Sequence, residues 1–140
     1  MLRVPPGIRV AIFLSASLFA ACGASPKPST RDVVVWQNLG SWSGRGVLQT
    51  SPFESDTGML RVSWEARNET PSTEGTLRVS LHSAVSGRHL ALVVDHRGAG
   101  RDTEYVNEDP RGFYLVIESG GVEWAVEVAE GIPARRAGAR

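Results

Sequence analysis

The chain has 140 residues, and its 15 basic and 15 acidic side chains give a formal net charge of zero. This length leaves room for one domain with a modest hydrophobic core and predicts no second domain. From Cys22 onward there are 13 basic against 15 acidic residues, a balance of about −2. A domain of that charge has no broad electrostatic footprint for phosphate backbones, so no nucleic-acid partner is expected.

The first 21 residues have the three-part pattern of an export signal. Arg3 and Arg9 form a charged region, and an apolar run over residues 10–21 ends in small side chains. The run is about a dozen residues long, whereas a helix needs roughly 20 to cross a hydrocarbon core. We therefore predict a removable signal peptide over residues 1–21.

Residues 18–22, with the sequence LFAAC, resemble the lipobox of bacterial lipoproteins. In that family small residues precede a cysteine that is acylated and becomes the new N-terminus, although Phe19 stands where an aliphatic residue is usual. The resemblance implies lipidation of Cys22, the only cysteine, and anchoring in the lipid bilayer of the cell envelope. Gly23 rather than Asp follows, which implies the outer membrane in a double-membraned host. The alternative is ordinary signal-peptide cleavage nearby and a free thiol.

The rest of the chain divides into three predicted segments. Residues 22–31 combine the lipidated N-terminus with a flexible tether, because small and proline residues there cannot build a core. Residues 32–130 form a β-sandwich domain. Residues 131–140 form a flexible tail with little to pack.

Hydrophobic residues in the predicted domain alternate with period two, which is typical of strands. Leu60, Val62 and Trp64 share one face, and the same alternation recurs over residues 77–82 and 122–128. Each such strand has one dry and one wet face, as an antiparallel sheet covered on one side requires. Further strands are predicted at residues 33–37, 47–53, 103–106 and 113–118.

Turn residues predict two hairpins. A two-residue turn at Ser86 and Gly87 gives a hairpin over residues 75–96, in which Leu81 faces Leu92. A second turn at residues 120–121 joins the last two strands. About eight short strands favour an all-β fold, a two-sheet antiparallel sandwich resembling a jelly roll, with a small barrel as the alternative.

Three aromatic-rich strands at residues 58–64, 102–106 and 113–117, together with Trp124, carry a second resemblance. Their pattern is similar to small secreted bacterial β-sandwich domains of the pre-peptidase C-terminal and CUB-like types. The resemblance covers most of residues 42–128. It implies an accessory or binding module and identifies no functional residue.

The candidate metal ligands do not form a convincing set. His82, His89 and His96 are interpreted as surface residues, because the predicted hairpin keeps them too far apart for one zinc ion. Among the loop carboxylates, Asp102 and Asp109 are the first candidates for a Ca²⁺ site, although no dense calcium-loop spacing is present. No metal site and no cofactor is predicted.

Catalytic motifs are also missing from the pattern, since no serine has the G-x-S-x-G surroundings of a nucleophile elbow. Exposed aromatic rings can stack on sugars, and Trp36 and Trp42 are the candidate ligand-binding residues because neither falls on a patterned core face. The sequence therefore predicts a non-catalytic binding or structural module of the cell envelope, with an envelope protein or glycan as partner. The alternatives are a carbohydrate-binding module and a small enzyme using His96 with Asp95 or Asp102.

Overall fold

The computed structural model describes Gly23 and residues 31–136. The predicted signal peptide, Cys22 and most of the predicted tether lie outside the described residues. The described part of the chain forms nine strands: β1 (Arg31–Arg45), β2 (Leu48–Gln49), β3 (Phe53–Ser55), β4 (Met59–Asn68), β5 (Thr76–Ser83), β6 (His89–Arg97), β7 (Gly100–Asn107), β8 (Arg111–Gly120) and β9 (Val122–Arg136). Within it, no helix is long and apolar enough to cross a membrane.

The strands form two antiparallel sheets that pack as a sandwich. The four-stranded sheet has the order β1-β9-β4-β7, and the five-stranded sheet has the order β2-β8-β5-β6, with β3 also paired to β8. Because β2 and β3 both lie against β8, they act as two pieces of one strand, and Pro52 between them cannot donate to the ladder. Eight strand positions in two interleaved Greek keys make a jelly roll. The predicted fold class is confirmed.

The hydrophobic core lies between the sheets and uses the alternating residues that the sequence indicates. Leu60 and Val62 of β4 are completely buried, as are Leu77 and Val79 of β5. Trp64 is 7% exposed. The alternation predicted for these strands is confirmed, since every second side chain points into the core.

The predicted hairpin over residues 75–96 exists, but its register differs. Val79 faces Val94, whereas Leu81 faces Ala91 rather than Leu92. Two β-bulges between β5 and β6 cause this difference. Each bulge adds one unpaired residue to β6 and so shifts the pairing that follows by one position. The turn also spans more than two residues, closed by a hydrogen bond from the Ser83 N–H to the Arg88 carbonyl at 2.9 Å.

The second predicted hairpin is wrong. The chain does turn at residues 120–121, but β8 belongs to the five-stranded sheet and β9 to the four-stranded sheet. Both strands carry an apolar face, and both faces meet in the same core from opposite sides. A cross-sheet turn satisfies this requirement, whereas a hairpin would place them side by side.

The flexible tail predicted from residue 131 is wrong as far as Arg136, because β9 continues to that residue. The last part of β9 pairs with the start of β1, with Val35 opposite Ile132 and Arg31 opposite Arg136. Backbone pairing, which needs no core-forming side chain, orders this segment. We call the paired residues 31–35 and 132–136 the ribbon.

Glu130 is a buried carboxylate at the end of the sandwich nearest the ribbon, and it is 5% exposed. Its Oε2 accepts a hydrogen bond from Ser55 Oγ at 2.8 Å and one from the Asp56 N–H at 3.0 Å. The N–H and hydroxyl of Thr57 lie 3.4 Å from the same oxygen. These donors offset the cost of burying the charge and hold the β3–β4 loop against β9.

Candidate functional site

The outer face of the four-stranded sheet carries a groove of about 650 Å³. Strand pairing brings two rows of outward side chains together across all four strands. From β1 to β7 these rows are Ser43, Ala125, Glu65 and Arg101, then Ser41, Glu127, Ser63 and Thr103. Small side chains occupy four of these positions, Ser43, Ser41, Ala125 and Ser63, so the floor of the groove is low there and carries several hydroxyl groups.

Polar side chains rise around this floor. Glu65 and Glu127 point outward along the groove, and Arg101 is the basic residue on the same face. Ser63 and Thr103 lie within hydrogen-bond reach of each other, with 3.4 Å between their hydroxyl oxygens. Such a surface offers both donors and acceptors to a neutral polar ligand.

One end of the groove continues into a second hollow of about 390 Å³. An ion pair between Arg45 and Glu123 lies there, on the exposed surface. The hydrogen bond and positive charge of Arg45 lower the pKa of the Glu123 carboxyl, and Glu123 correspondingly raises the pKa of Arg45. Both side chains are exposed, so solvent screening keeps the contribution of this pair to stability small.

An aromatic bar made of Trp36, Arg61 and Tyr105 lies on the same outer face, beyond the row of Ser63 and Thr103. Trp36 on β1 and Tyr105 on β7 are three strand spacings apart, roughly 14 Å at the backbone. Their ring centroids nevertheless lie 5.8 Å apart, with the ring planes at 56°. The guanidinium carbon of Arg61 is 4.6 Å from the centre of the Trp36 ring, a cation–π distance. The two rings therefore lean toward each other across the sheet.

The bar leaves one aromatic ring open to solvent. Tyr105 is 64% exposed, whereas Trp36 is partly covered by its contacts with Arg61 and Tyr105. Tyr105 lies two residues beyond Thr103 on the same face of β7, next to the groove. An apolar ring beside hydroxyl-bearing and carboxylate side chains is an arrangement that can hold a sugar ring.

The two tryptophans singled out from the sequence have different places. Trp36 belongs to the aromatic bar at the groove. Trp42 faces inward, is half-buried, and packs against Phe53 with ring centroids 5.7 Å apart. The sequence did not identify Tyr105 as a candidate ligand-binding residue. Its outward orientation could have been inferred from strand alternation, because Val106 next to it points inward.

The histidine and carboxylate pairs of the predicted enzyme alternative do not meet. His96 faces inward against Trp64, with ring centroids 4.8 Å apart, and its Nε2 is 3.3 Å from the Ala99 carbonyl oxygen. Asp95 lies on the opposite face of β6 and pairs with Arg78 at 3.5 Å. In residues 31–136, no hydrogen bond joins a histidine to a carboxylate.

The histidines are nevertheless closer than the sequence indicates. His82 and His89 face each other directly across β5 and β6, with ring centroids 5.3 Å apart. The predicted separation of several residue pairs is wrong because of the bulged register. Both ring nitrogens of His82 already have partners, Ser80 Oγ at 3.1 Å and the Gly87 carbonyl at 3.2 Å.

The two calcium candidates do not converge. Asp102 lies near the start of β7 opposite Trp64, while Asp109 follows the end of that strand and contacts Arg111 at 3.4 Å. The five strand positions from Asp102 to the end of β7 at Asn107 alone span roughly 17 Å. Among the described residues, no group of three or more histidine, cysteine or acidic side chains could hold a metal ion. Cys22 lies outside the described residues.

Comparison with known proteins yields a weak structural likeness. No protein-family model and no curated protein matches the chain. A similar solved structure is that of the CBM22-1 and GH10 modules of the N-terminal endo-1,4-beta-D-xylanase 10B of Clostridium thermocellum, complexed with xylohexaose. It is 15% identical, with a TM-score of 0.37 over 74% of this chain, which spans 27% of that one. A likeness of this size carries no argument about fold, ligand or activity.

Proposed function

We propose that the chain is a non-catalytic, lipid-anchored module of the bacterial cell envelope whose groove binds a neutral glycan. The observation that carries the glycan is the groove of about 650 Å³ together with the exposed ring of Tyr105, one row beyond Thr103 on the same face. Carbohydrates present apolar ring faces and polar hydroxyl edges, so a binding site needs an aromatic platform beside hydrogen-bonding groups.

The side chains around the groove divide these tasks. Tyr105 supplies the stacking ring, and Trp36 together with Arg61 supports it from behind, since all three are in contact. Ser63 and Thr103 offer hydroxyl groups at the floor. Rigid support of this kind lowers the entropy cost of ordering a binding surface.

Charge selects among glycans. The outward carboxylates of Glu65 and Glu127 are balanced by the guanidinium groups of Arg101 and Arg61, so this surface has no net charge to attract an acidic or a basic sugar. Glu65 and Glu127 can instead accept hydrogen bonds from the hydroxyl groups of an uncharged ligand. We therefore infer a neutral oligosaccharide rather than an acidic one.

Lipid anchoring rests on the lipobox-like residues that end in Cys22. Several acyl chains on one cysteine would hold the protein stably, whereas one chain gives only marginal attachment. Metabolic fatty-acid labelling of the natural chain and of Cys22→Ser tests this part. Label retained by the variant would refute it.

The glycan proposal is tested with the full chain purified in detergent and applied to an array of neutral and acidic oligosaccharides. The best ligand is then titrated by calorimetry against Tyr105→Ala and the matched control Tyr114→Ala. Tyr114 is a tyrosine on the outer face of the five-stranded sheet, stacked on His82. We expect Tyr105→Ala to weaken binding about tenfold or more through loss of the stacking ring, and Tyr114→Ala to leave the Kd unchanged.

Two results would contradict the proposal. One is equal loss of affinity in both variants, which would mean that the groove is not the site. The other is an array without any neutral ligand. Recovery of an envelope protein whose binding needs Tyr105 would support a protein partner for the same surface instead.

A further inference from the structure

The ribbon extends the sandwich at the end where the chain enters the fold. β4 pairs with β9 only as far as Glu130, so β1 and β9 continue beyond it as a two-stranded extension. Its five residue pairs, from Val35 and Ile132 outward, are roughly 17 Å long. Val34 and Val35 are 44% and 53% exposed and point to opposite faces, so neither face of the ribbon is covered by the rest of the described protein.

Charge is unevenly divided between the ribbon and the sandwich. The ribbon carries three arginines, Arg31, Arg135 and Arg136, against one acid, Asp32. Residues 37–130 hold eight arginines against fourteen acidic residues. The ribbon therefore has a formal charge of about +2, while the rest of the described sandwich has about −6. Within residues 31–136, neither Arg135 nor Arg136 forms an ion pair.

The acids nearest the ribbon do not cancel its charge at the tip. Asp32 lies opposite Arg135 within the ribbon but, in the described part of the chain, forms no ion pair with it. The next acids, Asp56 and Glu108, lie in loops at the same end of the sandwich, beside Glu130 and Gly58. The tip of the ribbon lies further out by most of its length, while the Debye length at physiological ionic strength is about 8 Å. Arg135 and Arg136 therefore present a local positive charge to whatever lies beyond the tip.

The length of chain between Cys22 and the ribbon limits what can lie beyond the tip of the ribbon. Arg31 lies nine positions after Cys22, and a chain of that length spans at most about 30 Å whatever its conformation. If Cys22 is acylated, as the proposed function holds, the tip of the ribbon is tethered within that distance of the lipid headgroups. The negative sandwich is repelled by an anionic surface and the ribbon is attracted to it.

We infer that the ribbon is a second membrane contact, which docks on anionic lipid headgroups through Arg135 and Arg136 and places the exposed Val35, on the same face as Arg136, at the interface. Apolar area and basic charge act together in such contacts. This inference rests on the anchoring part of the proposed function. It sets the orientation of the domain, with the ribbon toward the lipid and the groove along the side of the sandwich.

The test uses the acylated full chain in vesicles, with a fluorophore on an introduced cysteine. Ala134→Cys places the probe on the ribbon, and Ser72→Cys places it in the exposed β4–β5 loop at the opposite end. Lipids that carry a quencher report contact. In vesicles containing phosphatidylglycerol we expect quenching at position 134 and none at position 72, and weaker quenching at position 134 in pure phosphatidylcholine or high salt.

Charge variants sharpen the result. Arg135→Gln with Arg136→Gln is expected to shift the docked-to-undocked ratio about 30-fold toward undocked, since each basic residue near an anionic surface contributes about 1 kcal/mol. The matched control, Arg78→Gln with Arg97→Gln on the five-stranded sheet, removes the same charge and should change nothing. Equal quenching at positions 134 and 72, or no effect of the ribbon variant, would overturn the inference.

Failure of the ribbon to contact the membrane can be distinguished from failure of the proposed function. Loss of anchoring would leave the protein in the supernatant rather than on the vesicles. Failure to bind glycans would leave the quenching pattern as expected.

Discussion

Replacing Gly58 by alanine tests how tightly the β3–β4 and β7–β8 loops are locked together. Gly58 has a φ of 70°, and a methyl group there would overlap the carbonyl oxygen of Glu108 and lie 2.7 Å from its carbonyl carbon. Both obstructing atoms belong to the backbone, so no side-chain rotation relieves the collision. The two loops would have to separate and lose the hydrogen bond from the Glu108 N–H to the Gly58 carbonyl, now 2.9 Å long.

The loss of unfolding free energy in Gly58→Ala can be divided into two parts, because Gly46 provides a matched control. Gly46 has a φ of 74°, but a methyl group there would meet open space. Gly46→Ala therefore costs only the left-handed backbone conformation, about 1 kcal/mol. Gly58→Ala adds overpacking and a lost hydrogen bond, which brings its total to about 4 kcal/mol.

The assay is urea unfolding of the full chain in detergent, followed by tryptophan fluorescence. The difference between the two variants measures the collision with Glu108. Equal destabilisation by Gly58→Ala and Gly46→Ala would refute the reasoning, because it would mean that the loops move apart at no cost.

Two further predictions concern carboxylates. Glu130→Gln replaces the buried carboxylate that accepts hydrogen bonds from Ser55 and the β3–β4 loop with a neutral amide. We expect this change to lower the free energy of unfolding by about 2 kcal/mol. Glu127→Gln, on the exposed outer face, should change the free energy of unfolding by less than about 0.5 kcal/mol. Equal losses in the two variants would contradict the role of Glu130 in holding the loop. Arg45→Gln should raise the pKa of Glu123 toward the ordinary glutamate range in a carboxyl NMR titration. The pair stabilises the fold above that range, and its contribution is lost as pH falls through the lowered pKa; an unchanged Glu123 titration would exclude the contact in solution.

Several elements could be predicted because their signal is local. The alternation of Leu60, Val62 and Trp64 indicates an inward face whatever the partner strand is, and this face is buried as expected. The same parity along β9, continued past Val128, also points Glu130 inward. The sequence therefore contained a signal for the buried carboxylate, which counting the hydrophobic residues alone missed.

Other elements could not be predicted because they depend on pairing between distant parts of the chain. The long β1–β9 pairing joins residues between 78 and 105 positions apart, from Arg45 opposite Glu123 to Arg31 opposite Arg136. Short-range sequence patterns carry no information on such distant partners. The end of β9 was therefore predicted to be a flexible tail. The two bulges of β5 and β6 likewise move His82 opposite His89, and a simple two-residue turn cannot indicate this.

The sequence by itself determined that the described domain is built of strands with one apolar face, since period-two alternation is a property of each segment alone. Only the tertiary structure decided which outer side chains form a surface. Ser41, Ser63 and Thr103 come from three strands, and their shared row exists because β9 and β4 pair between β1 and β7. Trp36 and Tyr105, 69 positions apart in the chain, meet for the same reason, because the sheet order brings both rings over one face where they can touch.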